Sequence, residues 1–258
     1  MDRISRSGEG SLTRGSSTGS VAVWLEIEEA LEAIIDRYEK VNHVISLFQD
    51  EKARRIGLET MGPIHGVGLE LGSGPGNFSR EILRSLDGFL LGLDYSDRML
   101  RAARSRVRSE RLSLVRAVFE YLPIRPGSLC FVAAAFALRD SVDKERVMTD
   151  VSLALGAGGK FLIVDVGKPD SPFVEGLFLV YMRFIMPILA GLVGGEGYRN
   201  PWRMLFETYR ILPKNKVILR MLTRSLGSAR MRKMTQGALA VFLAEKGIRT
   251  PRNESKDS

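Results

Sequence analysis

Short apolar runs alternate with amphipathic helical patterns through the middle of the chain. The runs predict strands near residues 67–71, 89–94, 112–118, 129–136 and 159–166, and the segments between them predict helices near 77–86, 97–108 and 143–155. Strands that alternate with helices favour parallel βαβ units. Because ligands of such sheets bind beyond the carboxyl ends of the strands, the loops after the first strands are expected to carry the chemistry.

Helical patterns flank this core on both sides. The predicted plan is a flexible tail over 1–20 and a single domain over 21–258, made of N-terminal helices (21–62), the alternating core (66–168), further helices (171–226) and closing strands (227–246). The tail is rich in Ser, Gly and Arg and has little that could join a core. The closing strands are expected near 229–235 and 238–244, and Ser96 is expected to cap the helix that follows it.

One helix in the second half of the chain is nearly apolar on all sides. It is expected to begin at Ser171-Pro172, since proline is favoured at the first helical position. Its longest charge-free stretch, residues 184–195, has 12 residues, fewer than the roughly 20 that span a bilayer. We therefore predict a helix that covers a core or a ligand, and not a transmembrane helix.

The excess of positive charge lies at the C-terminal end of the chain. Residues 198–258 hold 14 Lys and Arg against 4 Asp and Glu, whereas residues 1–197 hold 24 against 26. Such a region can contact anionic lipid or nucleic acid, or can simply be solvated. It lacks the interleaved aromatic and basic residues of strand-stacking surfaces, so nucleic acid is the less favoured partner.

Cysteine and histidine usage narrows the class of protein further. The single cysteine, Cys130, excludes a disulfide framework and a cysteine metal cluster. With only two histidines, His43 and His65, a histidine metal site is not favoured, and we predict no metal. The first 20 residues contain no apolar stretch of a secretory signal, which favours a cytoplasmic location.

The candidate chemistry begins at a glycine-rich loop after the first predicted strand. The loop residues are Gly72, Ser73, Gly74, Pro75 and Gly76. Their spacing differs from that of a dinucleotide fingerprint, and Glu70, just before the loop, would repel a pyrophosphate and suit a cationic ligand. Asp94, at the end of the next strand, would hold both ribose hydroxyls. S-adenosylmethionine carries an ammonium and a sulfonium but no phosphate, so we predict it as the cofactor and methyl donor.

Further donor contacts are expected from the loops after the next strands. Glu120-Tyr121-Leu122-Pro123 has the pattern that marks the adenine wall in many class I methyltransferases. Their usual acid falls at Val118, which leaves the backbone of Phe119 as a contact for the base. The remaining predicted donor-binding residues are Tyr95, Met99, Ala135 and Phe136.

A longer set of motifs resembles one family. Residues 136–144 (F-A-L-R-D-S-V-D-K) are similar to the F-G-L-R-N-V-x-D segment of UbiE/MenG-type quinone-biosynthesis C-methyltransferases, and matches to that family follow over about residues 34–246. The other matching positions are Tyr38, Asn42, Ser46, Gly158, Gly159, Lys160, Lys168, Pro169, Tyr198, Leu205, Glu207, Arg210, Pro213, Thr235, Gln236 and Gly237. Ala137, Asp140 and Leu212 depart from the family pattern and allow a different ring substrate.

The resemblance implies both a fold and an activity. The expected fold is α/β: a Rossmann-like class I methyltransferase sheet, mostly parallel with the last strand antiparallel, with helices on both faces and a helical substrate cap. The expected activity is S-adenosylmethionine-dependent C-methylation of a quinol ring in menaquinone- or ubiquinone-like quinone biosynthesis. The alternative is a methyltransferase that acts on another small apolar or phenolic acceptor.

The catalytic assignment centres on Arg139. A quinol carbon is a weak nucleophile until its phenol loses a proton, and a guanidinium can stabilise the developing oxyanion. Arg139 is equally well explained as a structural ion-pair partner of Asp140 or Asp143. The proton acceptor is left open between Tyr38, which we take as the second candidate catalytic residue, His43 and a water held by Arg139.

The expected partners follow from the same resemblance. A polyprenylated quinol would need an apolar surface for its tail, and the helix over 173–194 would supply one. The basic C-terminal quarter would then hold the protein at an anionic membrane surface as a peripheral protein. The sequence leaves the oligomeric state open, with a homodimer as one candidate.

Overall fold

The computed structural model describes residues 35–194, 202 and 204–247. The helices are α1 (Ile35–Ile45), α2 (Gln49–Met61), α3 (Asn77–Ser85), α4 (Asp97–Arg106), α5 (Lys144–Ala154), α6 (Pro172–Val180), α7 (Met186–Gly194), α8 (Met204–Ile211) and α9 (Asn215–Leu226). The strands are β1 (Ile64–Leu71), β2 (Leu86–Asp94), β3 (Leu112–Arg116), β4 (Leu129–Ala135), β5 (Leu155–Val166), β6 (Gly227–Met234) and β7 (Leu239–Lys246). The predicted alternation of strands and helices is confirmed, and the predicted helical segment before residue 35 lies outside the described residues.

The seven strands form one sheet in the order β3-β2-β1-β4-β5-β7-β6. Neighbours among β1 to β5 pair in parallel, while β7 runs antiparallel to both β5 and β6. This confirms the predicted class I methyltransferase sheet. The carboxyl ends of β1, β2 and β4 meet at one edge, where the glycine loop, Asp94 and the Phe136–Arg139 segment follow them.

Apolar side chains cover both faces of the sheet. On β5, Phe161 and Ile163 pack into one core cluster, whereas Leu162 and Val164 pack into the other. The alternation follows from the two-residue period of a strand. Each such side chain stabilises the fold by about 1.5–3 kcal/mol relative to exposure, so the strands fix the site edge between two well-packed layers.

The third strand ends earlier than predicted. The sequence pattern extended it to residue 118, but its pairing with β2 stops where Asp94 lies opposite Arg116. Because β2 itself ends at Asp94, residues 117–119 form the loop that carries Val118 and Phe119.

The apolar helix runs from Pro172 to Gly194 through a π-helical turn at Tyr181–Ile185. It has 23 residues and a mean hydropathy of 2.0, so by length and composition it could cross a membrane. The sequence prediction considered only the longest charge-free stretch of this helix, which is too short to do so. Core helices of soluble proteins that pass the same test are mostly buried, whereas only 28% of the apolar window of this helix is buried. Here Met182, Met186 and Ala190 pack into the core of the domain, so we describe it as the cover helix.

Candidate functional site

The glycine loop packs directly against the segment that follows β4. Gly72 has a φ of +67°, and a Cβ built there would lie 2.5 Å from the Cβ of Ala137. Gly74 also has a positive φ, but no atom lies within 4 Å of its Cβ position. Only glycine adopts these conformations at no steric cost. The loop therefore has one face closed by protein and one face open to a ligand.

Asp94 is fixed beside the open face of this loop. One oxygen of its carboxylate accepts a hydrogen bond from Gly74 N at 2.8 Å and the other accepts one from Ser96 N at 3.0 Å. Ser96 caps α4 as predicted, because its Oγ accepts from Met99 N at 3.2 Å. A held carboxylate beside open main chain fits the ribose and the cationic groups of S-adenosylmethionine, and the site offers no basic cradle for a pyrophosphate among these residues.

Glu70 lies beneath the loop, where it is only 1% exposed. Its carboxyl accepts a hydrogen bond from Ser79 Oγ of α3. Burial raises the pKa of Glu70 to about 8, although Ser79 and the Arg54 charge act in the opposite direction. Glu70 is therefore largely protonated at neutral pH despite the Arg54 charge. Direct contact with the donor stays a prediction.

The predicted adenine side lies next to the loop. The Phe119 ring is 3.2 Å from the Cβ position of Gly72, while the Val118 carbonyl accepts from Tyr121 N at 3.4 Å. Glu120 has a role that the sequence did not reveal: its Oε1 accepts from Val142 N at 2.8 Å. This bond joins the adenine-side loop to the segment that carries Arg139.

The other predicted donor residues occupy the rim of the same edge. The Arg116 guanidinium lies 5.2 Å from the centre of the Tyr95 ring, and Met99 is buried in α4. Ala135 ends β4, and Phe136 follows it with a φ of +57° and a hydrogen bond from its N–H to Val164 O at 2.7 Å. Such backbone strain in a non-glycine residue is typical of functional sites.

Arg139 is buried, and two carboxylates hold its guanidinium. Its Nη1 lies 3.2 Å from Asp165 Oδ1, and its Nε lies 3.4 Å from Asp140 Oδ1. Asp165 also accepts from the backbone N–H of Arg139 at 3.1 Å. Pairing with Asp140 is confirmed, but pairing with Asp143 is wrong because Asp143 instead caps α5 through Arg146 N at 2.9 Å. Burial raises the pKa of Asp140 to about 6 despite the Arg139 charge.

A cavity of about 420 Å³ opens between this edge and the cover helix. Its lining is largely apolar and includes Ile45, Leu47, Phe136, Val166, Val174, Leu177, Phe178, Met182, Met186, Leu205, Ala238 and Leu239. Arg139 and Phe136 border it, so the cavity adjoins the segment that closes the glycine loop. A mostly apolar cavity with a few polar groups is the usual form of a small-molecule site.

Several polar groups of the cavity were missed by the sequence analysis. Asp50 and Arg54 on α2 are buried and form an ion pair of 2.6 Å. The hydroxyl of Tyr209 on α8 is buried and has no hydrogen-bond partner among the described residues. Tyr38 lies on α1, but its side chain is outside the described residues, so its predicted catalytic role stays a prediction.

His43 lies between Asp50 at the cavity wall and the surface of the protein. Its Nδ1 lies 2.7 Å from Asp50 Oδ1, and its Nε2 lies 2.9 Å from Glu51 Oε1. Glu39, His43 and Glu51 have ligand atoms close enough to hold a metal ion. Because both nitrogens of His43 already contact carboxylates, we treat the group as a hydrogen-bonded charge cluster.

The outer face of the cover helix is apolar and exposed. Its exposed apolar residues, most of which recur every three or four positions, are Phe173, Leu177, Val180, Phe184, Ile185, Ile188 and Leu192. Lys168, Arg183 and Arg210 line a groove beside this face, together with Glu175. The exposed apolar stripe and its basic flank therefore lie on the side of the molecule that carries the cavity.

Comparison with known proteins identifies the family. The sequence model of the ubiE/COQ5 methyltransferase family matches residues 21–246. The chain is 23% identical over 228 residues to the demethylmenaquinone methyltransferase of Bacteroides fragilis, covering 86% of this chain and 92% of that relative. It is 26% identical over 163 residues to the ubiquinone/menaquinone biosynthesis C-methyltransferase UbiE of Wigglesworthia glossinidia brevipalpis, covering 61% of this chain and 64% of that relative.

Solved structures agree on the fold. A Thermotoga maritima S-adenosylmethionine-dependent methyltransferase, described as a possible histamine N-methyltransferase, superposes with a TM-score of 0.62 at 16% identity, covering 87% of this chain and 99% of that one. Phosphoethanolamine N-methyltransferase 2 of Haemonchus contortus superposes with a TM-score of 0.60 at 15% identity, covering 87% and 59%. The chain therefore belongs to the ubiE/COQ5 methyltransferase family and is an S-adenosylmethionine-dependent methyltransferase.

Proposed function

We propose that this enzyme methylates a ring carbon of a polyprenylated quinol and takes that substrate from an anionic membrane surface. The observation that carries the proposal is the position of the apolar cavity. It adjoins the glycine loop through Phe136 on one side and the exposed cover helix on the other. The relatives named as demethylmenaquinone methyltransferases support a quinol as the acceptor.

Different residues of the site would bind the methyl donor and the acceptor. Asp94 and the loop around Gly74 would hold the donor, and bound S-adenosylmethionine supplies an electrophilic methyl group. Arg139 at the cavity wall would stabilise the phenolate form of the quinol, because its guanidinium stays protonated and Asp165 fixes its direction. The apolar wall would hold the ring and exclude water.

The exposed residues around the cavity support docking to a membrane. Leu47 and Phe48 are 58% and 67% exposed at the turn between α1 and α2, where both adopt positive φ values. The Tyr181 hydroxyl of the cover helix donates to Ile45 O at 2.6 Å, so this turn and the apolar stripe adjoin. Exposed apolar patches of this kind mark interaction surfaces, and each nearby cation adds about 1 kcal/mol on anionic lipid.

Turnover and flotation test the two parts separately. The enzyme is expected to methylate a long-chain quinol in vesicles faster than a soluble short-chain phenol. Equal rates would instead favour the alternative of another small phenolic acceptor. In flotation with anionic vesicles at low salt, Leu192→Glu should bind about tenfold less than the parent protein, since it removes an exposed apolar group and adds a negative charge.

A matched variant controls for the flotation test. Leu153 is also a leucine exposed on a helix, at 57% against 76% for Leu192, but it lies near the end of α5 that leads into β5. Leu153→Glu should leave flotation unchanged. A parent protein that stays in solution and sediments as a dimer would contradict the membrane proposal and assign the apolar face to a second copy.

A further inference from the structure

We propose that Asp50 and His43 form a relay that carries the proton released by methylation from the cavity to solvent. This inference rests on the proposed function, because it concerns the same cavity and an acceptor that bears a hydroxyl group. Asp50 would be the catalytic residue that accepts the proton, and His43 the positioning residue that passes it on.

The balance of the reaction requires a proton to leave. Loss of the quinol hydroxyl proton gives a phenolate, whose ring carbon forms the new C–C bond. The S–CH₃ bond breaks in the same step, and its electron pair stays on sulfur. Loss of the ring hydrogen and return of one proton to the oxygen then restore the phenol. One proton therefore leaves per turnover, and a base that is buried at the cavity wall, as Asp50 is, needs a route that returns this proton to solvent.

Asp50 is held rigidly at the cavity wall. Its side chain is 3% exposed, and it lines the cavity next to Ser46. Its Oδ1 accepts from Ser46 Oγ at 2.9 Å and its Oδ2 accepts from Arg54 Nη2 at 2.6 Å. A base whose neighbours lock its position is preorganised for proton transfer.

His43 links that carboxylate to the surface. It is 24% exposed, and the 2.7 Å contact of its Nδ1 with Asp50 Oδ1 is within hydrogen-bond distance. On its other side, Nε2 lies 2.9 Å from Glu51, whose side chain is 61% exposed. The chain of contacts thus runs from a buried carboxylate through an imidazole to solvent in two steps.

Acidic groups dominate the surroundings of His43. Glu39 lies on its own helix, and Asp50 and Glu51 face it from α2. The charges behind them are Arg54, which pairs with Asp50 and Glu81, and Arg80, which pairs with Glu39. Burial lowers the pKa of His43, but Asp50 and Glu51 outweigh it and raise the pKa above its ordinary value of 6.5.

The relay predicts a particular pH profile. His43 must be neutral to take a proton from Asp50, so kcat should fall as pH drops through the raised pKa of His43. A purely structural His43–Asp50 contact would give no such acid limb. Glu51 lies outside the cavity but raises the pKa of His43. Glu51→Gln should therefore shift the acid limb, which is the fall of kcat at low pH, to lower pH.

The experiment measures kcat between about pH 5 and 9 for His43→Gln, Asp50→Asn and Glu51→Gln, with donor affinity measured by calorimetry. His43→Gln and Asp50→Asn should lower kcat by about a hundredfold, with the donor Kd within about twofold of the parent value. The other histidine and its acid, His65 and Asp87, form an exposed contact of 3.6 Å and supply the control. His65→Gln and Asp87→Asn should change neither kcat nor the limb.

Each outcome decides between the relay and its alternatives. Parent-like kcat and an unmoved acid limb in His43→Gln would overturn the relay while leaving the proposed function intact. If either relay variant fails to fold, Glu51→Gln decides, and a limb that does not move in that variant overturns the relay. A parent enzyme that methylates no quinol overturns the proposed function and the relay together.

Discussion

The proposed donor side and the proposed acceptor side of this enzyme meet at Phe136 but are assembled in different ways. The donor side is built from consecutive loops at one edge of the sheet, where Gly72, Gly74 and Asp94 follow neighbouring strands. The acceptor side draws on α1, α2, the cover helix, α8 and the turn before β7. A local sequence pattern can specify the first arrangement, whereas the second exists only once distant segments have packed.

The two sides also differ in their charges. On the donor side, the buried Glu70 has its pKa raised to about 8, chiefly by desolvation, with Ser79 as its hydrogen-bond partner. On the acceptor side, the buried charges are paired, as Arg139 is with Asp165 and Arg54 with Asp50. The proposed donor side therefore holds a buried acid that is largely neutral at pH 7, whereas the buried charges of the proposed acceptor side are already paired.

The largest expected effect is that of replacing Arg139, and this effect should be confined to the acceptor side. Arg139→Gln is expected to lower kcat by about 10²–10³-fold, since one preorganised charge that stabilises the oxyanion is lost. The donor Kd, measured by calorimetry, should stay within about twofold of the parent value. Arg146→Gln, which removes an exposed arginine that pairs with Asp150, is the control. Full turnover in Arg139→Gln would assign Arg139 to the fold alone.

Replacing Glu70 should change the pH dependence of stability. The pKa of Glu70 in the folded protein, about 8, lies above its ordinary value, so its contribution to stability is complete below about pH 4.5 and is lost as pH rises to 8. Glu70→Gln removes this loss. Between about pH 5 and 8, the free energy of unfolding of the variant should therefore rise by on the order of 3 kcal/mol relative to that of the parent. Urea unfolding at both pH values measures the difference.

Glu59→Gln is the control for this measurement, because Glu59 is an exposed glutamate of α2. This variant should change the free energy of unfolding by the same amount at both pH values. A difference between Glu70→Gln and the parent that stays constant with pH would show that Glu70 is ionised in the fold. In that case the contrast in charge between the two sides would disappear.

Replacing Asp94 should weaken the donor site only. Asp94→Ala removes the acceptor of two backbone hydrogen bonds and the predicted ribose contact, and we expect the donor Kd to rise by about 10–100-fold. At saturating donor, kcat should change much less, because the acceptor cavity is untouched. Asp87→Asn serves as the exposed control. A fall in kcat without a change in Kd would mean that the two sides are not separable.

The smallest expected effect is that of replacing Tyr209, which should slightly raise stability. Its hydroxyl is buried without a partner among the described residues, and such a group costs about 1–3 kcal/mol. Tyr209→Phe should therefore raise the free energy of unfolding of the ligand-free enzyme by about 1 kcal/mol. The quinol KM reports whether the hydroxyl serves the acceptor: a rise in KM alongside the gain in stability would place it in the substrate site.

Much of the donor side was predictable from the sequence because its signals are local. The strand pattern located β1 and β2, the glycine spacing located the loop, and Ser96 was identified as a cap from its position alone. The end of β3 was missed because it depends on where β2 stops pairing, at Asp94 and Arg116.

The acceptor side was predictable only in part. Arg139 and the cover helix were identified, through a motif and an apolar run. Asp165 was missed because it lies at the end of an apolar strand and reaches Arg139 only across the sheet. The roles of Asp50 and Arg54 were missed for a similar reason, since a charged pair on an amphipathic helix gives no local sign that its face lines a cavity.

The central claim is that the methyl group goes to a ring carbon of a quinol held between Arg139 and the cover helix. Incubation with methyl-¹³C-labelled S-adenosylmethionine and a polyprenylated quinol in anionic vesicles, followed by carbon NMR of the extracted lipid, tests it directly. The label is expected as a methyl group bonded to a ring carbon. A label found on oxygen, or no label in the quinol at all, would contradict the claim.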